Sequence, residues 1–275
     1  MTNLVRFLSK PWADKVYALK YRWLKLIPIP LSVRLRPGVW WLAENGYCGT
    51  TIALAGFDRN ESVFVEKLLI PGMNILDIGA HHGFYTLLAS TRIGPTGRVL
   101  AFEPSPRERR KLRRHLHLNR CTNVTVQDCA LSSAEGWADL FVVEDTETGC
   151  NSLRPPSVSQ SVKPITVRVS TVDRCLEQAG IDKVDFIKLD VEGAEIEVLK
   201  GAQRLLQRKP RPVVLCEVED VRTAPWGYPA KAIIDFLDER DFHWFTFADG
   251  EDLTPLPADA TFDRNYVAIP NERIA

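Results

Sequence analysis

Short apolar segments recur along the chain, and stretches with helical periodicity separate most of them. The apolar segments predict seven strands, at residues 73–78, 98–102, 124–127, 185–189, 212–217, 242–247 and 265–269. Residues 106–119 and 194–208 carry leucine and isoleucine at helical spacing. Strands that alternate with helices indicate an α/β fold. We expect a mostly parallel seven-stranded sheet with helices on both faces, closed by an antiparallel last strand.

One part of the chain departs from this alternation. Residues 137–143 and 165–169 are strand-like, with no helical pattern between them, and they predict an inserted antiparallel β-hairpin. The polar segment between them, residues 144–162, is too long for a tight turn. It could be a lid over an active site or a surface loop, and the sequence leaves both open.

The first predicted strand runs into a glycine turn. Gly79 follows the strand directly, and Gly83 allows the next helix to lie close to the sheet, with its N-terminal amides directed at the sheet edge. Ligands of open α/β sheets bind at such strand ends, so we predict a ligand crevice here. The alternative is a purely structural strand-to-helix turn.

The spacing of the turn favours S-adenosylmethionine over NAD. A dinucleotide fingerprint has three glycines, whereas Gly79-Ala-His-His-Gly83 lacks the middle one. Asp77, at the strand end, would repel a phosphate but could meet the ammonium group of an amino acid. Glu103 follows the next strand, twenty residues past Gly83, where a carboxylate can accept both ribose hydroxyls.

Several segments together resemble the FkbM-type methyltransferases, a branch of the class I S-adenosylmethionine-dependent enzymes with a Rossmann-like fold. The resemblance covers about residues 44–270. It is carried by Glu44-Asn-Gly-Tyr, Leu76-Asp-Ile-Gly-Ala-His-His-Gly-Phe-Tyr-Thr, Phe102-Glu-Pro, Ala130-Leu-Ser, Ser170-Thr-Val-Asp, Ile187-Lys-Leu-Asp-Val-Glu-Gly-Ala-Glu, Val198-Leu-Lys-Gly-Ala and Asn265-Tyr-Val-Ala-Ile-Pro. It implies methyl transfer, most often to a hydroxyl of a sugar or a polyketide-derived product.

The resemblance and the turn together give a set of candidate cofactor-binding residues. His81 stands where the family usually has asparagine; its imidazole could make binding pH-sensitive, or it could be a solvent-facing turn residue. The position of Asp128 in class I enzymes often contacts the adenine amino group, but Asp128 could also simply begin a loop beside a small buried Cys129. The full set is Asp77, Gly79, Ala80, His81, Gly83, Thr86, Glu103, Pro104, Asp128, Cys129 and Asp190.

Methyl transfer to an alcohol needs an aligned acceptor and a group that takes its proton, and carboxylates at strand ends can serve. We predict that Asp190 places the reacting groups, with Glu192 or Glu217 as the base. Glu192 and Glu195 could instead cap a helix or place a favourable negative charge in its first turn, and we prefer this structural role for Glu195. Of Glu217 and Glu219 we expect at most one to face the cleft. Asp190, Glu192 and Glu217 could also hold Mg²⁺, which we do not favour.

Composition adds a charge asymmetry. The 275 residues are 45% hydrophobic and carry no formal net charge, which argues against a general nucleic-acid binder. Residues 1–36 nevertheless hold eight Lys or Arg against Asp14, a net charge of +7, so the remainder carries −7. The basic run at 107–114 lacks interleaved aromatic residues and reads as a solvated helix face.

We therefore divide the chain into a basic helical extension, residues 1–43, and a methyltransferase domain, residues 44–275. In the extension, Trp12, Val16, Leu19 and Trp23 have helical spacing. That face could pack on the enzyme or on a second copy of the chain, which we favour, or rest on an anionic membrane surface. No apolar run is long enough to span a bilayer and no secretory signal opens the sequence, so we expect a cytoplasmic protein, peripheral to the membrane at most.

The leading hypothesis from the sequence is an S-adenosylmethionine-dependent O-methyltransferase. Its acceptor would be a hydroxyl on a glycan, a glycolipid or a secondary metabolite. The alternatives are N-methylation of a small molecule, a non-catalytic module that binds the cofactor, and, more distantly, an NAD-dependent oxidoreductase. Turnover, and the effect of each cofactor on thermal stability, would separate them.

Overall fold

The structure, a computed structural model, describes residues 31–35, 38–43, 52, 59–144, 148–247 and 252–274. The predicted helix at 12–23 and the segment at 44–47 lie outside these ranges. The described part of the extension is not helical: β1 (Leu31–Arg34) and β2 (Trp40–Ala43) pair antiparallel. No helix in the described ranges is long and apolar enough to cross a membrane.

The rest of the described chain contains eleven further strands and eight α-helices. The strands are β3 (Asn74–Ile78), β4 (Arg98–Phe102), β5 (Val124–Gln127), β6 (Ala130–Leu131), β7 (Gly136–Val143), β8 (Val162–Ser170), β9 (Phe186–Leu189), β10 (Val213–Glu219), β11 (Phe242–Phe247), β12 (Leu253–Pro255) and β13 (Asp263–Pro270). The helices are α1 (Arg59–Leu68), α2 (Phe84–Ile93), α3 (Pro106–Leu118), α4 (Val172–Ala179), α5 (Glu195–Lys200), α6 (Gln203–Gln207), α7 (Asp220–Thr223) and α8 (Lys231–Asp238).

The main sheet has the order β12-β11-β13-β10-β9-β3-β4-β5. Strands β5, β4, β3, β9 and β10 are parallel, whereas β13 runs antiparallel between β10 and β11. All seven predicted strands are present, and the prediction of an antiparallel last strand is confirmed. The short β12 adds an eighth strand at the edge, which the sequence did not indicate.

A hydrophobic core lies on each face of this sheet. Ile75 and Leu76 are neighbours on β3, and because successive residues point to opposite faces, each is buried in a different core. One core contains residues of α1, α2 and α3, and the other contains residues of α4, α5, α6 and α8. Burial on both faces explains why the central strands are continuous apolar runs.

The stretch predicted as one helix at 194–208 is two helices, α5 and α6. The break falls at Gly201, where an added Cβ would lie 2.2 Å from the carbonyl oxygen of Ser132. The carboxylate of Asp173 then accepts hydrogen bonds from the amides of Arg204 at 2.8 Å and Leu205 at 3.1 Å. These hydrogen bonds begin α6 as a separate helix. Ser132 and Asp173 lie outside residues 194–208, so the periodicity of that segment does not predict the break.

The inserted hairpin is confirmed. Strands β7 and β8 pair antiparallel along their length, from Gly136 opposite Val169 to Val143 opposite Val162. The short β6 joins β8 in parallel and completes a three-stranded sheet. The hairpin carries the predicted loop, of which residues 144 and 148–162 are described.

Candidate active site

A cavity of about 330 Å³ opens at the carboxyl ends of the central parallel strands. It lies where open α/β sheets bind their ligands. Most of the sequence-predicted site residues line it together: Asp77, Gly79, Ala80, His81, Glu103, Pro104, Cys129, Asp190, Glu192 and Glu217.

Three predicted residues are not in the cavity wall. Thr86 is fully buried and donates a hydrogen bond to the carboxylate of Asp77. Gly83, at a φ of 90°, precedes α2, and an added Cβ there would lie 2.3 Å from Leu112. Asp128 is exposed and lies 3.1 Å from the guanidinium of Arg168. A contact between Asp128 and an adenine ring stays a prediction.

The turn after β3 brings two strand ends into contact. Gly79 has a φ of 87°, and an added Cβ would lie 1.7 Å from the carbonyl oxygen of Asp190. The Asp190 amide donates a hydrogen bond of 3.0 Å to the carbonyl of Ile78. No residue with a side chain could stand at position 79 without separating the ends of β3 and β9.

Two buried carboxyl groups lie on the β3–β4 side of the cavity. Burial raises the pKa of Asp77 to about 6, against the opposing effects of the Thr86 hydroxyl and the Lys188 ammonium. Burial also raises the pKa of Glu103 to about 8. Glu103 accepts hydrogen bonds of 2.8 Å from the amides of His81 and Ser105, one on each oxygen. A carboxylate oxygen has two lone pairs, so both oxygens can still accept a ligand hydroxyl.

His81 lines the cavity in a left-handed conformation, with a φ of 48°. Its ring stacks on that of His82, with centroids 3.7 Å apart and an angle of 18° between the planes. Burial lowers the pKa of His81 to about 4. The imidazole is therefore neutral at physiological pH, and any titration of this side chain falls in the acidic range.

The opposing wall, at the ends of β9 and β10, is acidic. Glu192 lies 3.0 Å from the Nε of Arg222, and Glu219 lies 3.4 Å from the same atom. Burial, reinforced by neighbouring carboxylates, holds the pKa values of Glu192 and Glu217 well above the usual range. The Oε2 atom of Glu217 is inaccessible and has no hydrogen-bond partner in the described part of the chain.

The expectation that at most one of Glu217 and Glu219 faces the cleft is wrong. Both line the cavity, because residues two apart on a strand point to the same face. Glu195 lies in the first turn of α5, and the role at the helix N-terminus that we preferred for it stays a prediction. Its Oε1 accepts hydrogen bonds from the amides of Val191 at 3.0 Å and Gly193 at 3.2 Å, which fixes the turn before α5.

Lys188 is the site residue that the sequence reasoning missed. Its side chain is 2% exposed, and its ammonium donates hydrogen bonds of 3.0 Å to both Asp190 and Asn265. The same nitrogen lies 5.4 Å from the ring centroid of Tyr85. A signal was present, because a lysine within the apolar strand Phe-Ile-Lys-Leu has to find a counter-ion when it is buried.

Two groups of side chains have ligand atoms close enough for a metal ion. In the first, oxygens of Asp190, Glu192 and Glu217 lie within 4.8 Å of one another. In the second group, ring nitrogens of His81 and His82 and a carboxylate oxygen of Glu108 lie within the same 4.8 Å of one another. The stacked imidazole rings have nearly parallel planes, so one ion cannot lie in the plane of both rings. The carboxylate group has suitable Mg²⁺ ligands, and a magnesium site here stays the alternative that we do not favour.

The described part of the loop between β7 and β8 covers the cavity. Gly149, Asn151, Ser152 and Leu153 line it. The Ser152 hydroxyl donates a hydrogen bond of 2.8 Å to the carbonyl of Glu192, and Asn151 accepts one of 2.9 Å from the amide of Val143. These contacts tie the loop to both the hairpin and the acidic wall, and they favour a lid over a surface loop.

The sheet order, with an antiparallel strand between two parallel ones, and the strand-end cavity are those of a Rossmann-like class I methyltransferase. Residues 77–243, more than half of the chain, match the family described as the methyltransferase FkbM domain. The chain belongs to this family.

Three relatives have informative names. The 2-O-methyltransferase NoeI of Sinorhizobium fredii is 26% identical over 185 residues, 63% of this chain and 74% of NoeI. The hexuronic acid methyltransferase AglP of Haloferax volcanii is 30% identical over 131 residues, 48% of this chain and 50% of AglP. The antimetabolite synthetase AmbE of Pseudomonas aeruginosa is 26% identical over 235 residues, 69% of this chain but 11% of AmbE. The chain thus spans half or less of two of these three relatives.

Proposed function

We propose that this chain transfers a methyl group from S-adenosylmethionine to a hydroxyl group of a sugar, a glycan, a glycolipid or a secondary metabolite. The observation that carries the proposal is a single cavity that joins two buried carboxyl groups at the ends of β3 and β4 to an acidic wall at the ends of β9 and β10. The family supports methyl transfer. The names of NoeI and AglP, a 2-O-methyltransferase and a hexuronic acid methyltransferase, support a sugar hydroxyl.

The residues around the turn fit this cofactor. Glu103 can accept the two ribose hydroxyls, and Asp77 and Asp190 offer negative charge to an ammonium group. The side-chain-free turn at Gly79 leaves space beside the strand ends. Phe102, Cys129 and Leu131 supply an apolar wall of the kind that an adenine ring requires.

When bound, S-adenosylmethionine supplies a methyl group on a positively charged sulfur, activated for in-line displacement. The residues of the chain have to orient the acceptor hydroxyl and take its proton. Glu192 and Glu217 line the cavity and are the candidates for the second task, which either group can perform only in its ionised form; a raised pKa makes each a stronger base once it is ionised. Asp190, fixed by Lys188, suits the first.

Calorimetric titration of the purified chain with S-adenosylmethionine, S-adenosylhomocysteine and NAD tests the proposal, with and without Mg²⁺. We expect one-site binding of the two adenosyl ligands and none of NAD. Production of S-adenosylhomocysteine in the presence of hydroxylated acceptors would then separate an enzyme from a binding module. Binding of NAD alone would contradict the proposal.

Replacing Glu103 with glutamine is expected to weaken S-adenosylmethionine binding about ten- to hundredfold, because an NH2 group replaces one of the two oxygens that can accept the ribose hydroxyls and the amides of His81 and Ser105. The matched control is Glu135→Gln, an exposed glutamate 3.7 Å from Arg174, which should bind the cofactor as the wild type does. Adenosine and 2′-deoxyadenosine serve as competitors. The wild type should prefer adenosine and the Glu103→Gln variant should not. Equal weakening of both nucleosides would mean that Glu103 only holds the amides of His81 and Ser105.

We further propose a cytoplasmic location, with residues 1–43 packed on the enzyme or on a second copy of the chain. The charge of +7 in residues 1–36 also suits peripheral contact with an anionic membrane. Analytical ultracentrifugation and vesicle sedimentation of the full chain, each compared with a chain that begins at residue 31 and so keeps β1, β2 and the buried Trp41, would distinguish these arrangements.

A further inference from the structure

The cavity wall at the ends of β9 and β10 has an unusual charge balance. Asp190, Glu192, Glu217 and Glu219 all line the cavity. Lys188 is the one lysine or arginine among the described residues that line it. Any group that enters this part of the cavity therefore meets four carboxyl groups and a single ammonium.

The nearby cations are already engaged. Lys188 is buried within β9 and donates to Asp190 and Asn265. Arg222 lies outside the cavity lining, and its Nε faces both Glu192 and Glu219. A carboxylate or phosphate on an acceptor could pair with a cation here only by breaking one of these ion pairs. The protein carboxylate that lost its partner would then be left unpaired, which costs free energy.

Glu217 offers the opposite kind of interaction. Its Oε2 is inaccessible and lacks a hydrogen-bond partner among the described residues, although buried polar atoms are normally paired. A carboxyl group can hydrogen-bond a hydroxyl in either protonation state. Because Glu217 lines the cavity, its side chain can form such a bond with an acceptor hydroxyl.

We infer that the acidic wall selects an uncharged, hydroxyl-rich acceptor, such as a neutral sugar, and excludes an acceptor with a carboxylate or phosphate next to the methylated hydroxyl. This inference rests on the proposed function and narrows its substrate class. It separates the chain from AglP, whose name specifies a hexuronic acid. An anionic acceptor would find no available positive partner in this wall, and leaving the wrong ligand with an unpaired charge is a common source of specificity.

The test is a set of matched acceptors, in which each neutral methyl hexoside is paired with its methyl hexuronoside and its 6-phosphate. Transfer of tritiated methyl from S-adenosylmethionine is measured at equal acceptor concentrations with the full chain. We expect kcat/KM for the neutral member to exceed that for its anionic partners at least about tenfold. Equal transfer to both, or a preference for the uronoside or phosphate, would overturn the inference and leave the proposed function standing.

Variants show whether the acidic wall causes the selection. Glu217→Gln is expected to lower transfer to the neutral acceptor at least about tenfold, with the affinity for S-adenosylmethionine within a factor of about two of the wild type. Glu219→Gln is expected to lower the ratio of neutral to anionic transfer at least about threefold, because it frees Arg222 from one of its two carboxylate partners and so offers an anion a positive group. A purely structural role of Glu219 would lower both rates equally and leave that ratio unchanged, against the inference.

Failure of the proposed function has a different signature. If the chain binds S-adenosylmethionine and transfers no label to any member of the set, methyl transfer to sugar hydroxyls is excluded, and the inference falls with it. If label appears in the uronosides or phosphates alone, the activity stands and only the selection for neutral acceptors is overturned.

Discussion

Replacing Asp190 with asparagine is expected to lower the rate of methyl transfer at least about a hundredfold while the protein stays folded. Asparagine keeps the volume and can still accept the hydrogen bond from Lys188. What it removes is the negative charge at the end of β9, in contact with the turn at Gly79 and in the same cavity as Glu192 and Glu217. Steady-state transfer, together with calorimetric titration of S-adenosylmethionine, measures the effect.

The matched control for Asp190→Asn is Asp182→Asn. Asp182 is 90% exposed and lies 3.5 Å from Arg208, and such a surface pair contributes little. The control should therefore keep both activity and stability. Wild-type turnover in the Asp190→Asn variant would show that the residue has no part in transfer. A loss of cofactor affinity without a loss of maximal rate would restrict its role to cofactor binding.

Local patterns were sufficient to predict the parallel strands. β4 and the edge strand β5 begin and end at the predicted residues, because short apolar runs between turn signals are characteristic of strands. The ligand crevice at the glycine turn and the position of Glu103 in it were also predicted from local sequence, since ligands of such sheets bind at strand ends. These features depend on residues close together in the sequence.

The features that were missed depend on residues far apart in the sequence. Lys188 is held by Asn265, 77 residues away, and no local pattern joins them. Arg222 meets Glu192 across thirty residues, and this ion pair decides which charges remain open to a ligand. The break at Gly201 reflects a contact with Ser132. Periodicity predicts which face of an element is buried, but it does not say what that face meets.

The second large effect is expected from Lys188→Met. The substitution leaves Asp190 without its ammonium partner and Asn265 without a donor, and breaking a buried ion pair costs about 3–5 kcal/mol. Asp190 is 28% exposed, so we expect the lower end of this range for the loss in free energy of unfolding. Denaturant unfolding measures it. The matched control, Lys183→Met, removes a lysine that is 53% exposed and paired with Asp185, and should cost at most about 1 kcal/mol.

The loss in the Lys188→Met variant should also depend on pH. Burial raises the pKa of Asp77 to about 6, above its value in the unfolded chain, so the stability linked to this group is present in acid and is lost as pH rises through 6. The Lys188 ammonium opposes this shift, and its removal raises the pKa of Asp77 further. The variant should therefore lose more stability relative to the wild type at pH 8 than at pH 5, whereas Lys183→Met should show no such difference. Equal losses at both pH values would mean that Lys188 stabilises the site through its hydrogen bonds alone, without acting on the charge of Asp77.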